Sequence, residues 1–159
     1  MSCHSDINIG VIDTIRTALT GHSHQNALDF VTFLSANGII AGGEHDEVRF
    51  GGACVCYIHL SGEVDKPGPW SVWPEGDYSD DGGHPISEKV KSIARAHVNH
   101  CTNCGGGCNP GSSKMIFGED FNDVCSSVMA FCDPDDESLE CLKQLILMRV
   151  RLLDGDKPL

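Results

Sequence analysis

The sequence predicts an α+β fold in which helices flank a small, mostly antiparallel sheet. Three observations predict it. Apolar residues recur at helical spacing in several separated segments. Alternating segments on either side of Gly51-Gly52 suit a β-hairpin. Three cysteines crowd into the run Cys101-Thr-Asn-Cys104-Gly-Gly-Gly-Cys108, where a turn is needed.

Ile7, Val11, Ile12, Ile15 and Leu19 place the first helix over Asp6–Leu19, and Gly21 interrupts it. Ser23 suits the N-cap of a second helix carrying Ala27, Phe30, Val31 and Leu34, with a left-handed stop at Asn37-Gly38. Strands follow at Glu47–Phe50 and Ala53–Leu60. In the second, Cys54, Cys56, Ile58 and Leu60 face one way and Val55, Tyr57 and His59 the other. A short strand includes Trp70 to Trp73, within an irregular Asp65–Pro85 loop rich in Pro, Gly and Asp.

Ile86 to Val98 reads as a helix with Ile86, Val90, Ile93, Ala94 and His97 on one face, and the cysteine run sits at its end. Lys114–Gly118 reads as a strand and Phe121–Phe131 as a short helix bearing Cys125. Asp133 as N-cap, Pro134 at the first position and acids in the first turn open a last helix reaching Leu153. Its apolar residues encircle much of its circumference, which requires deep burial or a partner helix, so a homodimer is one expectation. With no repeat or composition break, residues 1–159 read as a single α+β domain.

A chain of 159 residues buries roughly two-thirds of the surface its unfolded form exposes. Its formal net charge of −12, from 11 basic and 23 acidic residues, argues against nucleic acid and anionic lipid as partners. No apolar run approaches the ~20 residues that span a bilayer, and no signal-peptide pattern is present, so a cytoplasmic protein with no membrane partner is expected. Thiols stay reduced there, and a cysteine cluster in that compartment points to metal binding or catalysis rather than disulfides. The odd count of nine cysteines agrees.

Four thiolates enclose a tetrahedral ion when neighbouring sulfurs stand roughly 3.8 Å apart, and such closed sites stabilise folds. The two residues between Cys101 and Cys104 allow a tight turn, and the three glycines let the chain double back to Cys108. Cys125, 17 positions on, is the natural fourth donor, giving a metal subregion of about 97–132. The expected set is therefore Cys101, Cys104, Cys108 and Cys125 in a zinc-knuckle-like site. All-thiolate ligation suits Zn2+, with an iron–sulfur cluster as the alternative. His97 or His100 could replace one thiolate, and Cys132 could replace Cys125. A continuous helix aligning His97, Cys101, Cys104 and Cys108 is opposed by the glycines, each costing about 1 kcal/mol relative to Ala. Lys89, Lys91, Arg95 and Lys114 bound an acid-free stretch around the run, which would favour thiolate over thiol.

From Cys101 onward the chain resembles the C-terminal half of a group of small, uncharacterised, cysteine-rich bacterial proteins. The shared residues are Cys101-x-Asn103-Cys104-Gly105, Cys108, Pro110-Gly111, Ile116-Phe117-Gly118, Phe121, Val124-Cys125, Asp133-Pro134 and Leu139. The resemblance covers about a third of the chain, or half if Trp73-Pro74 is included. It implies Cys125 as the fourth partner, leaves Cys132 and Cys141 incidental, and carries no activity across.

Elsewhere, Tyr57, His59, Trp70 and Trp73 could line a pocket, whereas Cys54-x-Cys56 reads as strand core and Glu44-His45-Asp46-Glu47 as a solvated loop. Cys3-His4 could offer nitrogen ligation to copper or nickel if Met1 is removed. No Walker loop, dinucleotide fingerprint, zincin motif or nucleophile elbow is present. The expected function is a zinc-braced module that binds a small molecule or protein. Two alternatives stand beside it: a small enzyme using the Tyr57, His59, Trp70 and Trp73 pocket, and a thiol-based metal or redox sensor.

Overall fold

Glycine placement and apolar spacing set the first half much as expected. The computed structural model describes residues 8–41, 46–60, 68–102 and 110–155. Among these, α1 (Ile9–Ala18) and α2 (Gly21–Ala36) form a helical pair that buries Ile15, Leu19, Ala27, Phe30 and Leu34. Gly38, at φ 70°, ends the pair, and the chain enters β1 (Ile40–Ala41). β2 (Glu47–Phe50) and β3 (Ala53–His59) pair through Gly51 and Gly52 at φ 57° and 86°, a two-residue hairpin that only such residues form readily. β4 (Ser71–Pro74) pairs with β3, and β8 (Phe131–Cys132) with β4, giving an antiparallel sheet of order β1-β2-β3-β4-β8.

α3 (Glu88–Ala96) is capped by Ser87, whose Oγ accepts the Val90 amide at 3.2 Å. It ends earlier than expected, and the chain passes at once into β5 (Val98–His100). The cysteine run therefore follows a strand, not a helix. β5 pairs with β7 (Glu119–Met129), which pairs with β6 (Ser112–Ile116), in a second antiparallel sheet. The expected helix over Phe121–Phe131 is thus a strand, and the protein has two small sheets rather than one. Phe121, Val124, Cys125 and Val128 mimic helical spacing because irregularities shift the register of β7 against both neighbours and Asp123 sits at φ 55°. Each extra residue turns a period of two into three. Asn122, Asp123, Ser126 and Ser127 are in any case poor helix interiors.

The last helix, α4 (Asp136–Gly155), starts later than the Asp133-Pro134 signal suggested. Asp135 is its cap: its Oδ1 accepts the Ser138 amide at 2.8 Å and its carbonyl accepts Leu139 N at 2.8 Å. Asp133 instead accepts Ser23 Oγ at 2.7 Å and the Trp70 indole N–H at 3.1 Å. Ser23 is therefore not the cap of α2: Thr20 holds the N-cap position, Gly21 opens the helix, and Ser23 lies in the first turn, turned to this tertiary contact. α4 packs on β3 and β4 and against α2 and α3, burying Leu139, Cys141, Leu142, Leu145, Ile146 and Met148. Much of the broad apolar girdle is thereby buried within the chain, while Leu147 and Leu152 stay half-buried. Among the described residues no helix is long and apolar enough to cross a membrane.

Candidate functional site

The end of β5, the start of β6 and the middle of β7 meet at one point. The Cys101 amide donates to the Asp123 carbonyl at 2.7 Å, which places Cys101 two residues from Cys125 along β7. Gly111 closes the same junction. A β-carbon there would stand 2.6 Å from Cys101 Cβ and 2.8 Å from the Asp123 carbonyl carbon, so only glycine fits. Cys104 and Cys108 lie outside the described residues. Of the expected four-thiolate set, Cys101 and Cys125 lie among the described residues, and both thiols are half-buried.

Two of the alternative donors, His97 and Cys132, are placed elsewhere, whereas His100 stays beside β7. His97 Nε2 lies 3.1 Å from Ser138 Oγ and its ring stacks on Phe131 at 4.2 Å. Burial pushes its pKa down. His100 Nδ1 lies 3.1 Å from the Asn122 carbonyl. Cys132 belongs to β8 in the other sheet, opposite Ser71. Most cations of the acid-free stretch also turn away: Lys89 pairs with Glu137 at 2.6 Å, Lys91 with Glu88 at 3.5 Å, and Arg95 with Glu119 at 3.6 Å. Ion pairing within α3 and its neighbours claims these three. Among the described residues Lys114 alone of the four forms no ion pair.

The Tyr57–His59 region has a different character. Tyr57 stands opposite Trp73 and His59 opposite Ser71 across β3 and β4. His59 Nδ1 is 3.1 Å from Asp46 Oδ2 and its ring meets the edge of Trp73 at 5.8 Å. Asp46 is therefore more than a solvated loop residue. A hydrogen bond to Cys54, with burial second, pushes the Tyr57 phenol up to about 12. Trp70 does not join this group: it is 1% exposed and packs near Phe30 at 6.2 Å. Cys56 is fully buried and Cys54 half-buried, both with pKa raised chiefly by burial, as strand-core thiols should be. Glu44, His45, Cys3 and His4 lie outside the described residues.

One spacing escaped the sequence reading. Asp77, Ser79, Asp81, Gly82 and Glu88 fall at the first, third, fifth, sixth and twelfth positions of a calcium-type loop leading into α3. The fold uses these groups otherwise. Asp77 Oδ1 accepts the Ser79 amide at 2.9 Å, Asp81 Oδ1 accepts the Gly83 amide at 3.2 Å, and Glu88 faces Lys91 and Arg95. Among the described residues no three His, Cys, Asp or Glu side chains converge as a metal site. A cleft of about 330 Å³ does open here, between residues 76–79, β6 at 114–116 and Val128. Behind it the buried Tyr78 hydroxyl and Arg149 Nε have no hydrogen-bond partner among the described residues. Comparison with protein-family profiles, with curated proteins and with solved structures finds no match to this chain.

Proposed function

We propose that this is a cytoplasmic zinc-binding protein in which Cys101, Cys104, Cys108 and Cys125 form a structural site, and that it acts as a ligand- or protein-binding module. The observation that supports it is the junction of Cys101, Gly111 and the Asp123–Cys125 stretch of β7, which brings the two ends of the cysteine-bearing segment onto the strand that carries the fourth cysteine. Bound Zn2+ would supply cross-linking there, not chemistry, because four thiolates leave no open coordination position. Elemental analysis of the purified protein tests this: one zinc per chain and no colour is expected, and iron with visible absorbance would sink the zinc assignment. Cys104→Ser should lose the metal and destabilise the protein; unchanged stability would remove the structural role. Zinc release by peroxide, reversed by thiol, would move the reading to a redox sensor.

A second reading, a small enzyme, draws on the Asp46–His59 pair beside Tyr57 and Trp73, since a carboxylate that orients a histidine is a common acid–base arrangement. If Asp46→Asn leaves the His59 ring resonances unshifted in NMR spectra, that coupling is absent.

A further inference from the structure

The cleft between residues 76–79, β6 and Val128 has walls of two kinds. Met115, Ile116 and Val128 supply apolar surface, and Met115, at 49% exposure, is the one large hydrophobic side chain left exposed among the described residues. Asp77 and Lys114 bring opposite charges to the same cleft. The Ser79 amide fixes the Asp77 carboxylate, and the Ser79 side chain reinforces it. Lys114 is close enough to act on Asp77 electrostatically without forming an ion pair with it, in a chain that carries a net charge of −12.

Two opposite charges beside an apolar wall, the carboxylate fixed and the ammonium not ion-paired with it, are matched by a small ligand that carries both charges at one end and an apolar group at the other. The volume, about 330 Å³, lies at the small end of ligand pockets and suits a molecule far smaller than a nucleotide cofactor. We propose that this cleft binds a free α-amino acid with an apolar side chain. Its carboxylate meets Lys114, its ammonium meets Asp77, and its side chain covers Met115, Ile116 and Val128. This rests on reading the chain as a ligand-binding module and is independent of the metal.

The test is a titration of the 15N-labelled, zinc-loaded protein, followed by amide shifts, with L-leucine and L-methionine. Two single-charge analogues, 4-methylpentanoate and isopentylamine, are titrated alongside. Saturable shifts confined to residues 76–79, 114–116 and 128 are expected for the amino acids. Each analogue, and leucine on Lys114→Met or Asp77→Asn, should bind about tenfold more weakly or worse, since each lacks one charge-assisted contact. No saturable shift at the cleft at millimolar amino acid overturns the proposal, as does an analogue that binds as tightly as leucine. The analogue series on wild type stands even if a variant fails to fold. Zinc without amino-acid binding removes the cleft assignment alone; amino-acid binding by a folded, metal-free preparation removes the zinc assignment alone.

Discussion

In the five-stranded sheet, β3 and β4 bury Val55, Cys56 and Val72 completely, and α4 packs on both strands. In the three-stranded sheet, the strands bury only Ile116, Val124 and Met129, and β5 buries nothing fully. Both sheets are antiparallel, yet the first is held by a hydrophobic core and the second lies at the edge of that core. A sheet with so little apolar surface to bury cannot hold its strands together by burial alone, and small elements in that position draw on metal or covalent cross-links. Of the four proposed cysteine ligands, the two among the described residues belong to the weaker sheet: Cys125 lies in β7, and Cys101 directly follows β5.

Removing the metal should separate the two sheets most sharply. Structural zinc contributes on the order of 10 kcal/mol in small zinc domains. Chelation, or Cys104→Ser, should abolish hydrogen-exchange protection in β5, β6 and β7 while β3, β4 and α4 remain protected. Equal loss in both sheets would show that they do not differ in this way. Next comes Leu145→Ala in α4, fully buried in the shared core, which should cost about 2–5 kcal/mol and lower protection in both regions together. Gly111→Ala is smaller. Overpacking against Cys101 and the Asp123 backbone should cost about 1–3 kcal/mol and weaken zinc retention, read by competition with a chromogenic chelator.

The smallest effect concerns His97, which ties the end of α3 to Ser138 on α4. Burial holds its pKa below the ordinary 6.5, so the folded state favours the neutral ring. The unfolded chain then binds the proton more readily, and stability present above 6.5 is lost as pH falls through 6.5 towards the folded value. With the ring about half-exposed the loss should stay below about 1 kcal/mol. It is measured as the difference in melting temperature between wild type and His97→Gln across that window, which also cancels thiolate protonation common to both.

Much of the first sheet was legible in the sequence because local signals and tertiary demands agree there. Gly51-Gly52 can make the tight turn, and the alternation expected of Ala53–His59 holds from Cys56 onward; a register shift opposite Val48 and Arg49 breaks it before that, leaving both Val55 and Cys56 buried. The second sheet was misread at β7 because its bulges convert strand spacing into helical spacing, a change that only the pairing partners impose. The α4 cap was misplaced for a similar reason. Asp133 and Asp135 are chemically alike, and the tertiary contacts of Asp133 with Ser23 and Trp70 leave Asp135 to cap. The Asp46–His59 pair and the Asp77–Lys114 cleft had no local signature, since their members lie 13 and 37 positions apart.

By itself the sequence determined the α+β class, the existence of α1, α2, α3 and α4, and the first hairpin, because period and glycine chemistry are local properties of the chain; it also offered one helix, over Phe121–Phe131, that the fold makes a strand. It also supplied the cysteine spacing from which the metal reading starts. Tertiary structure decided that Cys101 and Gly111 both meet β7, that α4 packs on β3, β4, α2 and α3, and that, among the described residues, Lys114 stands near Asp77 without an ion pair. Those outcomes depend on which distant segments share a surface, and that is fixed by packing the one core as a whole.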